Sequence, residues 1–301
     1  MPEILRIFVD VLTPVFALVG IGYVIARKLP IDAGTLSRLA YWLLGPAFIF
    51  DVLVGTELAG GVVLRVVGVS LATMVVVGVV TVTIARWMGA GRSTRGASLL
   101  TSVHGNVGNF GLAIAAFAFG ADALPIAGIV MVTVNTAGIL TGVAAATART
   151  SSPLIAVRVA FLAPMALAVV PAIGVNASGV DLPVWLDRPV GLLAQALIPV
   201  MLVTLGVQLQ QMRTPRLDTT VALPIVAKLV LAPAVAAGGV ALFGLTGLAA
   251  SVVVIQAAMP AAVFTSLVAL EHDLEPDLVT TVVLAGTLAS VVTLPVVISL
   301  L

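Results

Sequence analysis

Apolar stretches of about 20 residues, each closed by charges or turn residues, follow one another along this chain from end to end. About 20 apolar residues is the length a helix needs to cross the hydrocarbon core of a bilayer. Turn residues and charges divide the chain into ten such spans, near 4–26, 33–54, 62–87, 98–119, 123–147, 153–174, 189–210, 221–243, 248–270 and 276–300. The pattern is not the short apolar/polar alternation of a transmembrane β-barrel. The expected fold is an all-α polytopic membrane protein of about ten transmembrane helices, without a separate soluble domain. The longest connection, "GVNASGVDLPVWLDRP" from 174 to 189, carries Pro, Asp and Trp185 and suits an interfacial anchor.

Composition agrees with the pattern. Hydrophobic residues make up 61% of the 301 and charged residues 9%, with a mean hydropathy of +1.25. A soluble domain of this size would leave much of that apolar surface in water. The net charge of +1 argues against a nucleic-acid partner, which needs clustered Lys and Arg. With no cysteine there is no disulfide, thiolate metal site or Cys nucleophile. His104 and His272 lie in different segments without metal-ligand spacing, and no Walker motif is present. The chain is therefore expected to be no enzyme and to need no cofactor or metal. The N-terminal stretch starts acidic and ends basic, so it reads as a first span that stays rather than a cleaved signal peptide. The sequon "NAS" at 176–178 reads as a chance match.

Basic residues set the expected orientation. The loops after odd-numbered spans hold Arg27, Lys28, Arg38, Arg86, Arg92, Arg95, Arg149, Arg158, Arg213 and Arg216, whereas Arg6, Arg65 and Arg188 lie at the other side. This bias places both termini outside the cytoplasm of a multi-pass cell-membrane protein. The acidic loop "EHDLEPD", 271–277, falls on the cytoplasmic side, where acidic residues weigh little in the rule.

Prolines suggest a hidden repeat: Pro14 in span one matches Pro164 in span six, and Pro46 in span two matches Pro199 in span seven, at offsets near 150. Residues 1–150 and 151–301 would then be two five-helix repeats, inverted because five is odd. Span four opens on "SVHGNVGNFGLA" (102–113) and span nine carries Gln256, Met259 and Pro260 near its middle, so both halves put their most helix-breaking sequence in the same relative span. An unpaired backbone group costs several kcal/mol in lipid, so a break survives only against protein or a water-filled cavity. Paired interruptions of this kind are the strongest sequence pointer to a transporter's binding site. Close helix packing by the glycines is the structural alternative.

These residues resemble the auxin efflux carrier (PIN-like) family of membrane transport proteins. The likeness runs along the chain through "GPAFIF" (45–50), "GNVGNFGL" (105–112), "KLVLAPAV" (228–235) and "AAMPAAV" (257–263). It implies two inverted five-helix repeats, broken fourth and ninth helices that cross beside the substrate, and a scaffold including spans two and seven against which the crossover domain moves. It further implies a small organic anion as substrate, auxin in plants and dicarboxylates in some bacteria, and it allows a homodimer. The family pattern places proline after "GNxGNxGL", where this chain has Ala113. A gentler kink is therefore expected in span four, with Gly108 and Gly111 supplying the freedom that proline would impose.

Opposed half-helices would leave free N–H groups at their N-terminal ends for a carboxylate. The expected substrate site comprises Gly105, Asn106, Gly108, Asn109, Phe110, Gly111, Gln256, Met259 and Pro260. Asn109 is expected to donate to the carboxylate, Asn106 and Gln256 to complete a polar wall, and Met259 and Phe110 to form its apolar boundary. His104, Lys228 and Asp51 are candidates for a coupling or charge role. For Lys228 the simplest reading is snorkelling to the cytoplasmic surface, for Asp10 and Asp51 an interfacial position, and for Asn135 an interhelical hydrogen bond. The function expected is secondary transport of a small organic anion, probed against three alternatives: a sodium- or proton-coupled symporter, a channel or sensor, and an intramembrane enzyme.

Overall fold

The computed structural model describes residues 3–56, 60–147, 158, 161–212 and 219–301. Among them, seven helices are long and apolar enough to cross a membrane. These are α1 (Glu3–Lys28), α2 (Ala33–Val54), α3 (Gly60–Trp87), then, after an interrupted stretch, α6 (Leu124–Thr147, which with the short turn Ala121–Ala123 before it supplies the apolar span Ala121–Gly138), α8 (Val184–Gln211), α9 (Thr220–Phe243) and α12 (Pro276–Ser299). The stretch expected as span four is split into α4 (Arg92–Val103) and α5 (Val107–Phe119), and the ninth into α10 (Gly247–Ala257) and α11 (Phe264–Glu271). Of the sixth, α7 (Pro164–Ser178) is described, while most of 149–160 lies outside the described residues.

The helices are apolar outside, unlike a soluble bundle, and their apolar core holds scattered hydroxyls. On α3, Val75 and Val79 point outward while Ser70, Thr73 and Thr81 are buried. Several buried hydroxyls answer the lack of water by bonding their own helix: Ser70 to the Val66 carbonyl (2.8 Å), Thr204 to Val200 (2.7 Å) and Thr287 to Val283 (2.7 Å). This places a hydrocarbon solvent around the chain, which is a multi-pass membrane protein.

Wide π turns occur at Phe8–Leu12, Ala40–Leu44 and Ala227–Leu231, each followed two residues later by proline: Pro14, Pro46 and Pro233. Proline has no N–H and its ring would strike the carbonyl four residues back. Widening the preceding turn moves that carbonyl aside. The N–H of Thr13, Gly45 and Ala232 accordingly reaches five residues back, to Phe8, Ala40 and Ala227. A fourth π turn, Val107–Gly111, has Ala113 in the place of the proline. Position 113 is thus already shaped for proline. Ala113→Pro is expected to be tolerated, with thermal stability within about 1 kcal/mol of the parent; a collapse in extraction yield would contradict this.

Two packed groups meet in the fold. Helix α8 lies along α1 and α2, and α7 along α2, while α3 packs on α4, α6 and α9. Where α1 crosses α8, glycines face each other's backbone: a Cβ at Gly206 would stand 2.7 Å from the Tyr23 nitrogen, and one at Gly22 2.9 Å from the Val203 carbonyl carbon. The sequon residue Asn176 has a structural task. Its amide nitrogen donates to the carbonyls of Leu53 (3.0 Å), Val54 (3.0 Å) and Thr56 (3.1 Å), closing the end of α2. The acidic loop 271–277 lies against the first turn of α4: Ser93 donates to the Asp273 carbonyl (3.1 Å), and Leu274 packs in a cluster with Ala97 and Leu100. The helix dipole makes that end of α4 partly positive, and Arg92 and Arg95 are part of it, so an acidic loop is electrostatically suited to the basic side.

Candidate functional site

The two interruptions are hydrogen-bonded to each other. Helix α4 stops at Val103 and α10 at Ala257, and the chain segments beyond them run antiparallel, with a β-bridge between Gly105 and Ala261. The Asn106 N–H donates to the Pro260 carbonyl (2.7 Å) and the Ala262 N–H to the His104 carbonyl (2.9 Å). Each break thus meets polar groups that the other leaves exposed, in a layer where no water would do so. The Asn106 carbonyl then starts the next segment, accepting from Phe110 (3.2 Å) and Gly111 (2.9 Å). Expected flexibility at Gly108 and Gly111 is not what breaks the helix: unwinding occurs at 104–106, and both glycines lie in the π turn beyond it.

The glycines are there for space. A Cβ on Gly111 would collide with the Gln256 amide oxygen, and one on Gly108 would come within 3.1 Å of Met201 and 3.2 Å of Met131. At Gly105 the neighbour is Lys228, whose Cε and Nζ would lie 2.9 and 3.0 Å from such a Cβ. Lys228 does not snorkel. It is 5% exposed, and its ammonium donates to the Ala257 carbonyl at the end of α10 (2.9 Å). Among the described residues no carboxylate stands within 4 Å of it.

A cavity of about 30 Å³ sits at the crossing, lined by Gly105, Lys228 and Gln256 together with Ser70, Thr73 and Ser102. It has room for about one water. Both polar atoms of the buried Gln256 amide lack a partner, as does the amide nitrogen of buried Asn106. Such groups cost about 1–3 kcal/mol each when left unsatisfied.

Other expected site residues fall elsewhere. Phe110 is fully buried and meets Phe16 of α1 edge-on, with ring centroids 5.5 Å apart, so it packs two helices and does not line this cavity. Met259 is likewise core, against Gly111. Asn109 is partly exposed. His104 is buried with its ring 5.7 Å from that of Phe264. Asp51 lies apart, half-buried at the end of α2, in a groove shared with Asp187, Arg188 and Gln195. Asp10 pairs at the surface with Arg6 (3.7 Å), and the Asn135 amide contacts the Met165 sulfur across α6 and α7 (4.0 Å). Sequence reading missed Ser70 and Thr73, whose spacing of three puts both hydroxyls on one face of an otherwise Val-rich span.

The model of a family described as "membrane transport protein" matches residues 149–298, a stretch that takes in α7 to α12. The chain belongs to this family. The membrane transport protein family is the one whose motifs pointed to auxin efflux carriers, and its members are transporters rather than enzymes. A curated relative from Methanothermobacter thermautotrophicus, described as an uncharacterized transporter, is 34% identical over 107 residues. That match covers 35% of each chain, so this membrane transport protein spans about a third of the length of the relative it matches.

Proposed function

We propose that the protein is a secondary carrier that moves a small organic anion, a carboxylate, through the crossing of the two broken helices. The carrying observation is the pair of interruptions bonded to each other beside the unpartnered amides of Gln256 and Asn106. Helices α5 and α11 begin at this crossing, and the first N–H groups of a helix have no acceptor within it. Their partial positive charge suits a carboxylate. Amides of Asn106 and Gln256 would hold its oxygens with Gly105 in the wall, and Asn109, Gly108, Gly111, Met259 and Pro260 would join them only once the crossing opens.

A cavity for one water is too small for such a substrate, so access requires movement. Helices α1, α2, α7 and α8 form one side of that movement, as a scaffold against which the crossing travels in an elevator-like exchange. The arrangement follows from ten spans in two inverted five-helix repeats, residues 1–150 and 151–301, in the cell membrane with both termini outside. Inside-negative potential favours export of an anion by about 2.3 kcal/mol per charge per 100 mV, so no ATP is needed.

The test is flux of a panel of labelled carboxylates into liposomes holding the purified protein. One carboxylate is expected to saturate, and Gln256→Ala and Asn106→Ala to lower its apparent affinity about 10- to 100-fold each, the weight of one hydrogen bond to a charged group. Unaltered affinity in both variants would remove the crossing from the transport path. Uphill uptake that runs only with an imposed sodium or proton gradient would favour the coupled symporter.

A further inference from the structure

Both half-helices that enter the crossing first, α4 and α10, arrive by their C-terminal ends. A helix C-terminus carries up to about −0.5 elementary charge, and the interior screens it poorly; at α10 the carbonyls of Val254, Ile255 and Gln256 accept from Ala258 and Met259, which leaves that of Ala257 for a cation. Carbonyls of this kind, at unwound mid-membrane helices, are the ligands from which carriers build sites for a coupling cation. Here Val103 and Ala257, the last residues of the two half-helices, line the same small cavity as Lys228. The ammonium bonds the Ala257 carbonyl and lies against Gly105, two residues beyond the end of α4. Only glycine at 105 leaves it that room. No carboxylate is within 4 Å among the described residues; the acceptor its ammonium reaches is the Ala257 carbonyl at the end of α10, and the end of α4 stands in the same cavity wall.

We propose that Lys228 is a tethered cation filling a monovalent-cation site made by the C-terminal ends of α4 and α10, so that the carrier needs no free sodium or potassium. The role goes beyond holding the anion, and it rests on the crossing being the transport site only for its effect on flux. Removing the ammonium but not the carbonyls should expose the site to small cations from solution.

The experiment compares wild type, Lys228→Ala and Lys228→Met, each in choline, sodium, potassium and methylammonium chloride of equal ionic strength. Thermal unfolding in detergent, without any substrate, is read first. Lys228→Ala is expected to melt several degrees low in choline and to recover saturably with at least one of the small cations. Wild type and Lys228→Met, whose apolar chain refills the space without a charge, are expected not to respond. In liposomes, Lys228→Ala flux should fall at least 10-fold in choline and return with the cation that restores stability. No cation response in Lys228→Ala, an equal response in Lys228→Met, or a wild type that itself requires sodium would each overturn the assignment. If wild type moves none of the carboxylates, the transport reading fails while the thermal result still decides the cation site.

Discussion

Gly206→Leu is expected to abolish the folded protein, leaving material that aggregates when extracted into mild detergent. At Gly206 the obstacle is backbone: a Cβ would meet the Val19 carbonyl oxygen, the Tyr23 nitrogen at 2.7 Å and the Gly22 carbonyl carbon at 3.0 Å. Backbone inside a helix cannot swing aside as a side chain does, so α1 and α8 must separate. Overpacking by one group usually costs about 1–3 kcal/mol, and leucine adds three carbons beyond the first. In a membrane the loss is compounded, because helices are held by close packing of small residues and not by exclusion of water. Against a typical stability of about 5–15 kcal/mol, such a loss is decisive. Gly22→Leu, on the facing helix, should behave alike. Gly20→Leu is the control: it lies two residues away on α1, is exposed, and a Cβ there meets nothing within 4 Å. Size-exclusion profiles and melting temperatures of the three variants decide the matter; a wild-type profile for Gly206→Leu would show that the two helices are not locked at this point.

Span lengths and the two interruptions were legible in the chain because both follow from local chemistry. Val- and Leu-rich runs of bilayer length have one stable form in lipid, and His104, Gly105 and Asn106 or Met259 and Pro260 weaken that form wherever they occur. Contacts were less legible because they are set by helices distant in sequence. The break in span four lies at 104–106 and not at the later glycines, since its backbone is completed by Pro260 and Ala262 from the other half of the chain. Lys228 illustrates the same point. Its distance along α9 from the helix end allowed snorkelling, but nothing local reveals that Gly105 leaves a niche beside Ala257. Phe110 was an apolar neighbour of the site by sequence, and only the position of α1 shows that it belongs to Phe16. Ser70 and Thr73 escaped notice because a hydroxyl in a membrane helix is usually occupied by its own backbone, as that of Ser70 is.

Asn106→Pro should uncouple the two breaks, and comparison with Asn106→Ala isolates how. Asn106 has φ −76°, close to the value proline fixes, and Gly105 before it tolerates the extended conformation proline demands. Proline can therefore be placed at 106 without bending the chain, yet it deletes the N–H that donates to the Pro260 carbonyl at 2.7 Å. That carbonyl is then left with its partner missing at mid-membrane. The penalty is about 1–3 kcal/mol by mutational measure and more where no water can enter. Asn106→Ala keeps the backbone bond and loses only a buried side-chain amide whose nitrogen has no hydrogen-bond partner among the described residues. Its melting temperature should equal or exceed wild type while substrate affinity falls. Asn106→Pro should lose both stability and flux, because the crossing then has one cross-break hydrogen bond, Ala262 to His104, where it had two. Equal melting temperatures for the two variants would mean that the segments beyond α4 and α10 do not depend on each other, and a site assembled from both would lose its physical basis.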